Sequence, residues 1–309
     1  MNKGYIVFLG LALLLQGCAS TGHAVGKQAI GRASDSAEME RLIDRPGVVR
    51  LETITSADWQ VARSGVLNLN SPAAVQAGLK DGDEPVHVYA HLIRHPVHGN
   101  FLVDTGVSQK LVDDPSAAGL NWLLQQAMHI DRLAIRKSTG EIVAGLDGKL
   151  SGVMFTHLHL DHIAGMPDIP DGVPLYVGAS ETGGTSFKNL FVRGATDSLL
   201  KDHPPLQPWN FQPDPQRRFA GVIDVFEDGS VFAISVPGHT HGSVAFLVRT
   251  VDGPVLLTGD TCHTRWGWEH AVEPGDFSDD GSGNLASLKA LKELVARHPG
   301  MAVRLGHQD

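Results

Sequence analysis

One stretch of this 309-residue chain constrains it more than any other: Thr156-His157-Leu158-His159-Leu160-Asp161-His162. It follows directly on Gly152-Val-Met-Phe-Thr156, a short apolar run that reads as a strand. Strand ends are where α/β proteins place their sites. Even in a chain with 16 histidines, an H-x-H-x-D-H pattern arises by chance only roughly once in 300 such chains. Residues two apart on an extended backbone point the same way, so His157 and His159 can grip one metal ion. Asp161 and His162 come next, at the start of the following element, and can serve a second ion alongside. Imidazole and carboxylate without thiolate suit zinc or another borderline divalent cation.

Four residues do not complete two coordination spheres, so further donors are expected at other strand ends. Val236-Pro-Gly-His239-Thr-His241 follows an apolar run at 231–236. Leu257-Thr-Gly-Asp260 follows one at 255–257, and Leu305-Gly-His307 follows one at 301–305. The Pro-Gly-His order favours His239 over His241 as the ligand. Cys262 lies near Asp260 and reads as a small packed residue. His87, His91, His95 and His98 fall among Val86, Val88, Ile93, Pro96 and Gly99, which favours a polar face on a hairpin over an H-x-x-H metal site.

The ordered set of H-x-H-x-D-H, Gly-His, Gly-Asp and Gly-His resembles the metallo-β-lactamase superfamily of binuclear metallohydrolases, from roughly Val86 to His307. Val103-Asp104-Thr105-Gly106 is similar to the turn that this family places beneath its metals. The resemblance implies an α/β fold: an αββα sandwich of two facing mixed sheets with outer helices and the site at one edge. It implies two divalent ions, Zn2+, with His157, His159 and His239 on the first, Asp161, His162 and His307 on the second, and Asp260 bridging. The implied chemistry is attack of a metal-bridging hydroxide on a lactone or ester carbonyl of a small-molecule substrate, with Asp161 as the catalytic group that orients the nucleophile. Aspartate at 260 resembles the lactonase, glyoxalase and nuclease branches more than the true β-lactamases. The C-terminal third is most similar to the N-acyl-homoserine-lactone lactonase group, which usually carries a tyrosine three residues after the bridging aspartate. Here that position is His263, a second candidate catalytic residue that can also donate a hydrogen bond. A phosphodiesterase on the same two metals and a non-catalytic surface metal-binding protein are the alternatives.

Lys3, the apolar run Tyr5 to Leu15 and the ending Leu15-Gln16-Gly17-Cys18 resemble a bacterial lipoprotein signal. Residues 1–17 are then a signal peptide, and Cys18 is the lipid-bearing start of an exported chain. Ala19 in place of aspartate resembles the sorting rule for the outer membrane, facing the periplasm. Residues 18–47 read as a tether and lead-in, since Ala19 to Ser36 is small, polar and Gly-rich, and 48–309 as the hydrolase domain. Lys+Arg 25 against Asp+Glu 34 gives −9, and loss of Lys3 makes the mature chain −10, which argues against a nucleic-acid partner. Only two cysteines, Cys18 and Cys262, exclude a disulfide framework.

Elsewhere the pattern predicts a hairpin of 86–93 with 101–103, a helix over 116–130, and strands at 174–178, 222–226, 231–236, 244–248, 255–257 and 301–305. A C-terminal helix is expected over 284–298 with Asn284 as N-cap. Residues 179–220 show little period. Trp266 and Trp268 either line an apolar pocket or pack beneath a loop; Phe187, Phe191, Trp209 and Phe211 are either lid residues or core.

Overall fold

Along the central strands, as at 101–103, 175–177, 231–234 and 244–248, side chains point alternately to the two faces and both sets are apolar and buried. Strands of that kind must be covered on both faces. In the computed structural model, which describes residues 18–27, 29–186 and 188–309, they are. The first sheet runs β10 (Leu206–Trp209), β8 (Leu175–Gly178), β7 (Leu150–Met154), β5 (Gly99–Val103), β4 (Asp83–His95), β3 (Arg50–Ala62), β6 (Ala134–Ile135). Its β10, β8, β7 and β5 neighbours pair in parallel, and the remainder are antiparallel. The second sheet runs β15 (Ala302–Arg304), β14 (Gly253–Leu257), β13 (Val244–Thr250), β12 (Val231–Ser235), β11 (Gly221–Asp224), β2 (Arg32–Ser34). Only β14 and β15 are parallel there.

Phe101, Val103, Met154 and Trp209 of the first sheet meet Ala233, Val244, Phe246 and Leu257 of the second in the layer between them. The neighbours of those residues point outward. Leu102 and Val153 pack with Leu124, Leu199 and Leu200, which lie on the helices α2 (Trp122–Met128) and α4 (Asn189–Leu200). On the other side Phe232, Ile234 and Leu247 pack with Met39 and Ile43 of α1 (Ser36–Ile43) and Leu291 and Leu294 of α6 (Gly281–Arg297). The expected αββα sandwich is what the chain builds. Among the described residues no helix is long and apolar enough to cross a membrane.

The structure corrects four local expectations. The helix expected from 116 starts only at Trp122, where the Asn121 side chain accepts from the Leu124 N–H, and it stops at left-handed His129. The N-cap of α6 is Asp280, which accepts from the Gly283 N–H. Asn284 is instead fully buried, and its Nδ2 donates to the Thr261 carbonyl beside the candidate site. The stretch 179–220 is not irregular, since it holds α4 and β10.

The fourth correction is the largest. Residues 18–27 and 29–47 are folded onto the body rather than strung from it. Strand β1 (Cys18–Ala19) pairs antiparallel with β9 (Thr185–Ser186), Gly26 donates to the Leu206 carbonyl, and β2 completes the edge of the second sheet. Arg32 reaches buried Asp224 at 3.0 Å. The small, polar residues misled because their partners, such as Asp197, Leu206 and Asp224, lie far along the chain and leave no local pattern. The signal-peptide segment 1–17 lies outside the described residues.

Because Ile43 is fully buried against the second sheet, Ile43→Ala should lower stability by ~2–5 kcal/mol. Urea unfolding reads this directly, and an unchanged midpoint would show that the lead-in is a free tether after all.

Candidate metal centre

Four loops converge on one edge of the sandwich, each leaving the end of a strand. The first follows β7. Asp104, held at a φ of 55° in the turn after β5, accepts from the Thr156 N–H with Oδ1 and from the Thr156 hydroxyl with Oδ2. Thr105 donates through both N–H and hydroxyl to the His162 carbonyl. These bonds pin the loop at both ends. Between them His159, in extended backbone conformation, occupies the N-cap position of the short helix α3 (Leu160–Ile163) without a side-chain capping bond, and the helix turns Asp161 and His162 inward. Leu158 and Leu160 anchor the loop from the other side, in the core.

His239 arrives after β12 through Gly238, whose φ is 142° and where an added Cβ would lie 2.1 Å from the Asn284 nitrogen. Only glycine tolerates both conditions. Asp260 sits in the 3-10 turn Gly259–Thr261 after β14. His307 follows β15 and is tied to β4 twice, the His87 N–H donating to its carbonyl and its Nδ1 bonding the His87 carbonyl at 2.7 Å.

The side chains form two groups whose donor atoms lie within 4.8 Å of one another: His157, His159, His239 and Asp260, and Asp161, His162, Asp260 and His307. They are the two sets that the resemblance assigns. Asp260 Oδ2 is the shared point, 3.2 Å from Nε2 of both His162 and His307, 3.4 Å from that of His239 and 3.7 Å from that of His157. On the first side, His159 Nδ1 stands 2.9 Å from His239 Nε2. The rear nitrogens are occupied. Nδ1 of His157 meets the Thr156 hydroxyl, that of His162 the Asp104 carboxylate at 2.8 Å, and that of His239 the Ser278 hydroxyl. Such outer partners fix ring orientation in metal sites.

Burial, followed by the neighbouring imidazoles of His162, His159 and His239, pushes His157 well below its usual range. Burial lowers His159 and His239 in the same way. On the second side burial also works against charge, but Asp260, Asp104 and Asp161 overcome it at His162, and Asp260 and Asp161 lift His307 to about 10. Asp260 itself, against burial, is held well below the carboxylate range by His263, His307 and His162. Neutral donors thus gather on one side of Asp260 and charge-compensated ones on the other.

A cavity of about 290 Å³ opens onto this cluster. His159, Asp161, His239, Asp260, His263 and His307 border it, and Trp59, Val61, Val66, Val86, Met128, Val192 and Phe277 supply apolar walls. His263 is buried, with Nε2 2.8 Å from Asp260 Oδ2 and Nδ1 3.2 Å from the Val66 carbonyl.

Neither Trp266 nor Trp268 lines the cavity: Trp266 stacks on His270 and Trp268 packs against the core beside Cys262 and Leu288. Trp59 takes the place envisaged for them. Trp209 is buried in the core and Phe211 packs against it, so neither is a lid residue. Phe187 lies outside the described residues. The histidines of β4 are less of a polar face than expected. His91 is buried against Thr53, where burial lowers it to about 4, and buried His95 bonds Asp228 at 2.9 Å. His241 is half-exposed and belongs to neither donor group. Burial pushes the Cys262 thiol up to about 12.

Sequence reasoning missed Glu181. It is buried just past the end of β8, one more strand end, and its carboxylate spans two ligand loops. Oε1 accepts from the Leu158 N–H at 2.7 Å, between His157 and His159, and Oε2 from the Thr240 hydroxyl at 2.6 Å, next to His239. Burial raises its pKa against the pull of those donors and the Gly242 N–H.

Residues 83–307 match the Metallo-beta-lactamase superfamily. The N-acyl homoserine lactonase AttM of Rhizobium johnstonii is 28% identical over 229 residues, covering 73% of this chain and 83% of that one. AttM of Agrobacterium fabrum gives the same figures. Among solved structures, a quorum-quenching N-acyl homoserine lactone lactonase superposes with a TM-score of 0.62 at 21% identity, over 86% of this chain and 94% of that one.

If Glu181 holds the loops in register, Glu181→Leu should weaken zinc binding ~10–100-fold, and Glu181→Gln, which keeps one acceptor oxygen, should lose less. Competition against a chromophoric chelator reads the affinity and circular dichroism checks the fold. Unchanged affinity in the leucine variant would show that the loops hold themselves.

Proposed function

The chain belongs to the metallo-β-lactamase superfamily, and on that premise we propose that it is a binuclear metal-dependent hydrolase of lactone or ester carbonyls in small, apolar-tailed substrates. One observation carries this: two donor sets share Asp260 at the polar floor of a cavity with apolar walls. A site so divided suits a substrate with a reactive polar head and a hydrocarbon body. The likeness to lactonases supports the choice of carbonyl.

The residues fit a pair of ions. His157 Nε2 and Asp260 Oδ1 are buried without a hydrogen-bond partner, a loss of about 1–3 kcal/mol each that a bound cation would remove. His157, His159 and His239 would hold one ion, Asp161, His162 and His307 the other, with Asp260 between them. Ions bound there supply a nucleophilic water at neutral pH and polarise the scissile carbonyl.

The chain's own groups do the rest. Asp161 borders the cavity, and His162 and His307 outweigh burial to keep its carboxyl well below the usual range. It therefore stays charged and orients the attacking water by accepting its proton in a hydrogen bond. With both nitrogens engaged, His263 acts through Asp260, which it holds in place, while its ring closes the cavity floor. Trp59, Val86 and Val192 exclude water from the substrate's body.

A phosphodiester fits less well. Lys188 borders the cavity, but its ammonium is taken up by the Asp276 and Ser278 carbonyls. We propose further that the protein is exported and anchored through lipid on Cys18, on the strength of Leu15-Gln16-Gly17-Cys18. The mass of the N-terminal peptide tests this.

Purified full-length protein should contain about two divalent ions per chain. Chelation should abolish turnover of apolar-tailed lactones, and zinc should restore it. Faster turnover of aryl phosphodiesters would move the assignment to phosphoryl esters, and no turnover of either would leave a metal-binding protein. Asp161→Asn should cost ~10²–10⁴-fold in kcat, with His157→Ala, which is expected to abolish turnover, as reference. His263→Phe should lower kcat with little change in KM, because it acts through Asp260; a change confined to KM would make it a substrate contact.

A further inference from the structure

Valines aside, the large apolar side chains exposed among the described residues are five: Trp122 at 70%, Leu123 at 60%, Leu190 at 53%, Phe191 at 64% and Phe277 at 41%. They are not scattered. Trp122 and Leu123 open α2, which runs into the cavity wall at Ala127, Met128 and His129. Leu190 and Phe191 lie in the first turn of α4, between Asn189 and Val192 of the opposite wall. Phe277 lines the cavity itself. The loop ahead of α2 packs directly on α4: a Cβ at Gly119 would lie 2.6 Å from that of Ser198. Single exposed apolar residues need no explanation, but a set gathered on two neighbouring helices and a loop that border one cavity marks a contact surface.

The start of the described chain leads to the same place. Cys18 pairs with Ser186, three residues before α4 begins. Thr21 and Gly22 then bond Asp197 on that helix, at 2.5 and 2.7 Å. Whatever holds Cys18 therefore holds the rim of the cavity beside it.

Building on the anchored position proposed above, we infer that the surface formed by α2 and the start of α4 docks on a lipid bilayer and presents the cavity mouth to it. Tryptophan and phenylalanine favour the headgroup boundary, and one acyl anchor is steadied by a second, apolar contact. With a mature charge of −10, attraction to anionic headgroups is not what drives the contact; burial of these side chains is. The substrates this orientation serves are amphiphilic lactones or esters that partition into the membrane and enter the cavity from it.

The test uses full-length protein, as its host processes it, on vesicles of phosphatidylethanolamine and phosphatidylglycerol with brominated acyl chains. Bromine should quench tryptophan emission, and Trp122→Phe should remove most of that quenching. The double variant Leu123→Glu, Leu190→Glu should lose several-fold in turnover of a vesicle-partitioned long-chain lactone and keep its turnover of a short, water-soluble one. Equal quenching with and without Trp122, or equal losses on both substrates, would overturn the inference. So would concentration-dependent shielding of Trp122 from iodide without vesicles, which would assign the rim to a second copy of the chain. The mass of the N-terminal peptide separates the two ideas. An unacylated Cys18 removes the anchor alone, and the same quenching, on protein added to vesicles, still decides the docking.

Discussion

A single buried carboxylate organises this molecule. Asp260 Oδ2 lies within 3.7 Å of a nitrogen on each of five histidines, drawn from three other loops and its own. A charge so far from water is costly unless partners surround it. Its charge, with those of Asp104 and Asp161, favours protonation of the second-side imidazoles against their burial. The cluster is therefore close to compensated before any cation enters. A cation that displaces those protons enters a site already shaped for positive charge.

Keeping four loops at such distances is a mechanical problem, and the solution lies outside the donors. Asp104 braces the H-x-H-x-D-H loop from below, and Glu181 ties its middle to the loop carrying His239. The paired bonds between His87 and His307 fasten the last ligand to β4 in the first sheet, although His307 follows a strand of the second. The two sheets are thus joined through the site as well as through the apolar layer between them. Errors of an ångström are costly in such sites, which is why rigid strands carry the donors and buried polar bonds set the loops.

How much of this could be read from the amino acids follows from the range of each interaction. The donors were legible because His157, His159, Asp161 and His162 are crowded into six positions, and the others each sit two or three residues past an apolar run. The sandwich was legible through the resemblance and through strands such as 231–236 and 244–248, whose apolar runs the structure keeps as β12 and β13. Glu181 was not, because one glutamate in a Ser-Glu-Thr turn gives no local sign that it will be buried. The lead-in failed for the opposite reason: its composition matches a linker, and only pairing with residues far along the chain makes it strand. For Trp266 and Trp268 nearness in sequence to Asp260 could not decide between cavity and packing; α5 (Arg265–His270) turns both away from the cavity.

The pairing of β2 with β11 also bears on how the protein comes into being. Residues 32–34 leave the ribosome long before their hydrogen-bonding partners, residues 222–224. Until about 190 further residues have followed, β2 has nothing to pair with, and the matching edge of the second sheet does not exist. Contacts of such long range are slow to form, and unpaired segments are exposed meanwhile. The scarcity of large apolar side chains in Ala19 to Ser36 then has a use during synthesis: a strand that must wait longest for its partner offers little for other chains to stick to.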